Sequence, residues 1–178
     1  LVTFGTMGGN DIGLIGLAFD CAFGDCVPAE GTDPLATKFA DVEGRLVSAL
    51  DETKLRAPLA DIAVVGYGTY LPPRGCAGVP VAPDEADYIQ GQINRLSDLL
   101  ERLASEADVH FIDQREIPGA LAHTACAAPD QQWIRGLDAY GDGTLLHPST
   151  AGMKATADHV LSEIADFRGD ATGPTTAQ

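Results

Sequence analysis

Apolar residues recur along the chain in two rhythms. Leu1-Val2-Thr3-Phe4, Ile62-Ala63-Val64-Val65 and Val109-His110-Phe111-Ile112 are short, nearly continuous apolar runs with β-branched residues, each followed by a Gly-rich or polar stretch. Runs of this kind predict strands covered on both faces, the habit of a parallel sheet. Between them the spacing becomes helical. Leu35, Phe39, Val42, Leu46 and Leu50 recur every three or four residues behind Asp33-Pro34, read as an N-cap and first helical position. Ile89, Ile93, Leu96, Leu100 and Leu103 follow Pro83-Asp84-Glu85 in the same way, and Met153, Ala157, Val160 and Ile164 follow Ser149. Alternation of strand and helix predicts an α/β layered domain. Leu1 already stands inside its apolar run, so the chain reads as beginning within a strand.

Three stretches escape both rhythms: residues 5–31, 67–82 and 113–148. Open α/β sheets bind ligands beyond the carboxyl ends of their strands, so chemistry is expected in these stretches. The third is too long for a plain connector. From Arg168 onward, with Gly169, Gly173 and Pro174, the chain reads as a flexible exposed terminus.

Charge narrows the choice of partners. Asp and Glu number 26 against 11 Lys and Arg, a formal net charge of −15. Phosphate backbones and anionic surfaces repel such a chain, so no nucleic-acid partner is expected. No apolar run approaches the length of a membrane span. The 4 cysteines are too few for a disulfide-dense scaffold, and none form a C-x-x-C pair. Only His123, three residues before Cys126, has spacing that suggests a ligand, so neither metal nor cofactor is expected. The even number suits two disulfides in a secreted protein; free buried thiols in a reducing compartment are the alternative.

Two motifs carry candidate chemistry. Gly8-Gly9-Asn10-Asp11 follows the first strand directly. Paired glycines allow a tight turn and close approach, and the Asn amide can offer an N–H to a ligand oxygen; a simple Gly/Asn turn reads the same way. His147-Pro148 stands at the start of the last helix. Pro148 holds His147 extended, which can present an imidazole as a general base, although a lone His is as readily a surface group.

Together, and in this order, these motifs resemble the third (G-x-N-D) and fifth (His-bearing) sequence blocks of the SGNH hydrolases, also called GDSL lipases and esterases. The stretch between them is similar to the actinobacterial secreted lipase/esterase branch, through Val64-Val65-Gly66-Tyr67, Cys76, Cys126 and Gln132-Trp133-Ile134-Arg135-Gly136-Leu137. The resemblance implies a three-layer α/β/α, flavodoxin-like domain over residues 1–167 with a partial parallel sheet, and hydrolysis of small-molecule or lipid esters. It implies Asn10 as an oxyanion-hole donor, His147 as the catalytic base, disulfides Cys21–Cys26 and Cys76–Cys126, and secretion. Two departures stand out. The family's Asp three residues before the His is Thr144 here, so the Thr144 carbonyl or the nearby Asp142 is expected to orient the ring. The G-D-S block with its nucleophilic Ser belongs before G-x-N-D, and nothing here fills it. Gly24-Asp25-Cys26 matches in letters only, and Ser149 reads as a helix cap. The nucleophile is therefore expected to lie outside these residues, leaving the chain alone inactive. A non-catalytic remnant and a flavodoxin-like binding module remain as alternatives.

Overall fold

The computed structural model describes residues 1–137 and 141–169. Most of the expected tail, residues 170–178, lies outside the described residues. Strands β1 (Val2–Phe4), β2 (Ile62–Val65) and β3 (His110–Ile112) form a parallel sheet in the order β1-β2-β3. Val2 sits opposite Ile62, and Val65 opposite Ile112. All three predicted strands are present; the outer two lack Leu1 and Val109, which flank the pairing.

Five α-helices are described: α1 (Gly9–Ile12), α2 (Leu14–Phe23), α3 (Ala36–Arg56), α4 (Pro83–Glu106) and α5 (Thr150–Arg168). The two longest bury the predicted stripes, Phe39, Val42, Leu46 and Leu50 on α3, and Ile89, Ile93, Leu96, Leu100 and Leu103 on α4. Their starts differ in one respect. α4 opens at Pro83 as expected, with the Glu85 carboxylate reaching back to accept the Ala82 N–H at 2.7 Å. α3 opens later than Asp33-Pro34 implied, because Asp33 spends its acceptors closing the preceding turn: Oδ1 takes the Leu35 N–H and the carbonyl takes that of Ala36.

Period-2 alternation along β2 divides the core in two. Ile62 and Val64 join the main cluster with residues of α1 through α4. Ala63 and Val65 face the other way and meet Ile112 and Ile164, with Val160 and Phe167 beside them. The result is helix–sheet–helix layering with a thick side under α2 to α4 and a thin side under α5.

Two features depart from the sequence reading. Residues 5–31, which show neither rhythm, contain α1 and α2. α2 is apolar on nearly every side, which hides the amphipathic period that reveals a helix. Arg168 ends α5 instead of opening a tail, and its guanidinium pairs with Asp61 at 2.6 Å just before β2. Cys21 is bonded to Cys26 and Cys76 to Cys126, with Cα separations of 4.7 and 5.9 Å, inside the range a disulfide spans. Among the described residues no helix is long and apolar enough to cross a membrane.

Candidate active site

Just beyond β1 the backbone turns at Gly8, whose φ of 102° is left-handed. A Cβ there would stand 3.0 Å from Val42 and 3.1 Å from Leu96, so glycine lets the turn rest directly on the main core. Gly9 is equally confined: its N–H donates to the Tyr67 hydroxyl at 2.8 Å, and a Cβ would stand 2.7 Å from that oxygen. These contacts seat the short helix α1, which carries Asn10 on its exposed side. The Asn10 amide has no hydrogen-bond partner among the described residues.

His147 arrives from the opposite end of the chain. Its segment pairs with the stretch around Ile134: the Arg135 N–H donates to the His147 carbonyl at 3.0 Å, and the Ser149 N–H to the Trp133 carbonyl at 2.9 Å. Leu146, at φ 57°, occupies the left-handed region that non-glycine residues seldom adopt. Behind this kink the Leu145 carbonyl lies 2.7 Å from His147 Nδ1. A carbonyl can only accept, so Nδ1 carries a proton, which in the neutral ring leaves the lone pair on Nε2.

Neither the Thr144 carbonyl nor Asp142, expected to orient the ring, does so; a backbone carbonyl does, one residue further on. The Thr144 carbonyl accepts the His147 backbone N–H at 3.1 Å, and so holds the loop and not the imidazole. Asp142 is turned elsewhere: Oδ1 pairs with the Arg135 guanidinium and Oδ2 accepts the Thr150 N–H at 2.6 Å. Hydrogen bonds from Thr150 and Arg135 hold its carboxyl well below the usual carboxylate range. Arg135 is buried and also donates to the carbonyls of Pro129 and Asp142. Together they clamp the loop onto the start of α5. Ser149 is fully engaged as well: its hydroxyl donates to the Gln132 carbonyl at 2.7 Å and accepts the Gly152 N–H at 3.0 Å, capping α5. Cys26 is consumed by its disulfide.

Asn10 and His147 line one cavity of about 370 Å³, walled by Gly8, Tyr67, Tyr70 and Leu146. Burial pushes both tyrosine hydroxyls up, which keeps them neutral. The Tyr67 contact to Gly9 was missed in the sequence; its only signal was an aromatic residue directly after the Gly that follows β2. A neighbouring cavity of about 320 Å³ runs between the thin side of the sheet and α5, lined by Thr3, Val65, Trp133, Met153 and Thr156 among others. Among the described residues no group of three or more His, Cys, Asp or Glu side chains is placed to hold a metal ion.

A GDSL-like lipase/acylhydrolase family model matches residues 2–155, most of the chain. The chain belongs to that family. This GDSL-like hydrolase superposes on phospholipase A1 from Streptomyces albidoflavus NA297 with a TM-score of 0.72 and 24% identity, over 92% of this chain and 68% of that one. An extracellular lipase from Streptomyces rimosus gives 0.69 and 19%, over 90% and 68%. A peptidoglycan O-acetylesterase gives 0.51 and 16%, over 95% and 38%. At these identities the likeness is one of fold, and it matches the helix-rich layering around a small parallel sheet. No curated protein sequence matches this GDSL-like hydrolase significantly.

Proposed function

We propose that this GDSL-like hydrolase belongs to a carboxylic-ester hydrolase in which His147 is the general base and Asn10 donates to the oxyanion. The support is geometric: two side chains separated by most of the chain line one cavity, one an unpartnered amide and the other an imidazole with its acceptor nitrogen available. A serine hydroxyl attacks the ester carbonyl while Nε2 of His147 takes its proton and later returns it to the leaving alcohol. The Leu145 carbonyl stabilises the imidazolium in between, and the Asn10 amide meets the negative oxygen of the tetrahedral intermediate. Ser149 is unsuited to the attack because both sides of its hydroxyl are engaged, so the nucleophile is a serine outside residues 1–178. Two formed disulfides favour an oxidising compartment, and with it export.

The test is hydrolysis of a short p-nitrophenyl ester by residues 1–178, and by the same residues preceded by a strand ending in Gly-Asp-Ser. Turnover is expected only in the second protein, and His147→Ala should abolish it. Robust turnover by residues 1–178 that is lost on Ser149→Ala would overturn the assignment of the nucleophile.

A further inference from the structure

We infer that helix α2 is a docking surface for a lipid–water interface that carries no net negative charge. Leu14, Ala18 and Cys21 of α2 face the core. On the outward side, which on an ordinary surface helix is polar, Ile15, Phe19 and Phe23 recur every four residues, with only Gly16 and Asp20 exposed beside them. Phe23 is 86% exposed, and the Phe19 ring lies parallel to it with centroids 6.3 Å apart. Asp20 is the one charged residue of α2, and an outward apolar stripe of this size on a helix covered on one side only marks an interaction surface. The Cys21–Cys26 disulfide ties down its far end, so docking orders little new chain.

Position and charge select the occupant. α1, with Asn10, runs into α2 through Gly13, and Leu14 and Ile15 line the same cavity as Asn10 and His147. An adsorbed surface therefore meets the wall of the candidate site, which is where an acyl-ester hydrolase needs its substrate. The choice of partner rests to that extent on the proposed function. Asp20 and Asp25 are exposed beside Phe19 and Phe23 and outnumber the neighbouring Lys38, within a chain of net charge −15. They oppose an anionic bilayer, and in a face-to-face pair of copies they would confront one another. A zwitterionic lipid surface carries no such penalty and needs no matching shape.

The experiment is co-sedimentation of the chain with vesicles of ether-linked phosphatidylcholine, which cannot be hydrolysed at an acyl ester. Binding is expected, weakened about tenfold or more in Phe23→Ser, because an exposed Phe gains most of its transfer free energy on burial. Phe23→Trp should retain binding and show a blue-shifted emission on added vesicles. Phosphatidylglycerol vesicles should bind less. The inference is overturned if phosphatidylcholine vesicles do not bind, if Phe23→Ser binds equally, if anionic vesicles bind better, or if Phe23→Ser instead converts a dimer to a monomer. Adsorption is read without turnover, so its failure leaves the ester-hydrolase reading standing, and loss of turnover in His147→Ala leaves adsorption intact.

Discussion

On one side of the sheet, Ile62 and Val64 meet a continuous cluster that runs through Ile12, Val42, Ile93 and Leu96 under four helices. On the other, Ala63 and Val65 meet only Ile112 and one helix, through Ile164, Val160 and Phe167. The thick side holds most of the buried apolar surface, and with it the stability. The candidate site lies beyond the carboxyl ends of the strands, where Leu14, Tyr67 and Tyr70 of the thick side meet the segment of His147 that leads into α5. Core and site are joined at Gly8, which rests on Val42 and Leu96 and carries Asn10 two residues later. A rigid core thus seats the short helix that carries Asn10.

Substitutions can break this contrast. Leu96→Ala should cost the most, about 4 kcal/mol in chemical denaturation, because Leu96 is fully buried and lies under Gly8. Replacing Cys76 and Cys126 together by Ser should cost about 3 kcal/mol by opening a loop closed over 50 residues. Limited proteolysis should then cut first within residues 113–148. Asn10→Ala should leave denaturation unchanged, since the side chain is exposed and unpartnered. In a serine-bearing form it should slow ester hydrolysis about 100-fold, equal to about 2.7 kcal/mol of barrier. Ile164→Ala, on the thin side, should cost about 2 kcal/mol, at the low end for such a truncation. A loss there equal to that of Leu96→Ala would erase the distinction between the sides.

The smallest effect concerns acid. The folded state depresses the Asp142 carboxyl, so its clamp contributes fully above the unfolded value near pH ~4 and is lost as pH falls through the folded value. Asp142→Asn should therefore lower Tm at neutral pH, with the difference shrinking on acidification. A Tm difference that stayed constant down to strongly acidic pH would remove Asp142 from that role.

Short-range pattern was enough for the strands, because a run such as Ile62–Val65 can only be covered on both faces. It was also enough for α4 and the Ser149 cap, whose signals are local hydrogen bonds written into neighbouring residues. Asn10 and His147 could be named from their motifs, and the family resemblance already implied that they share one site; the contacts of Tyr67, Trp133 and Leu96 that draw these distant segments together could not be read. α2 stayed hidden because a helix apolar on nearly every side has almost no period to read. The group that orients His147 stayed hidden for a simpler reason. It is the carbonyl of Leu145, and every residue carries a carbonyl; only the left-handed turn at Leu146 and the pairing with Trp133 to Gly136 decide which one points at the ring.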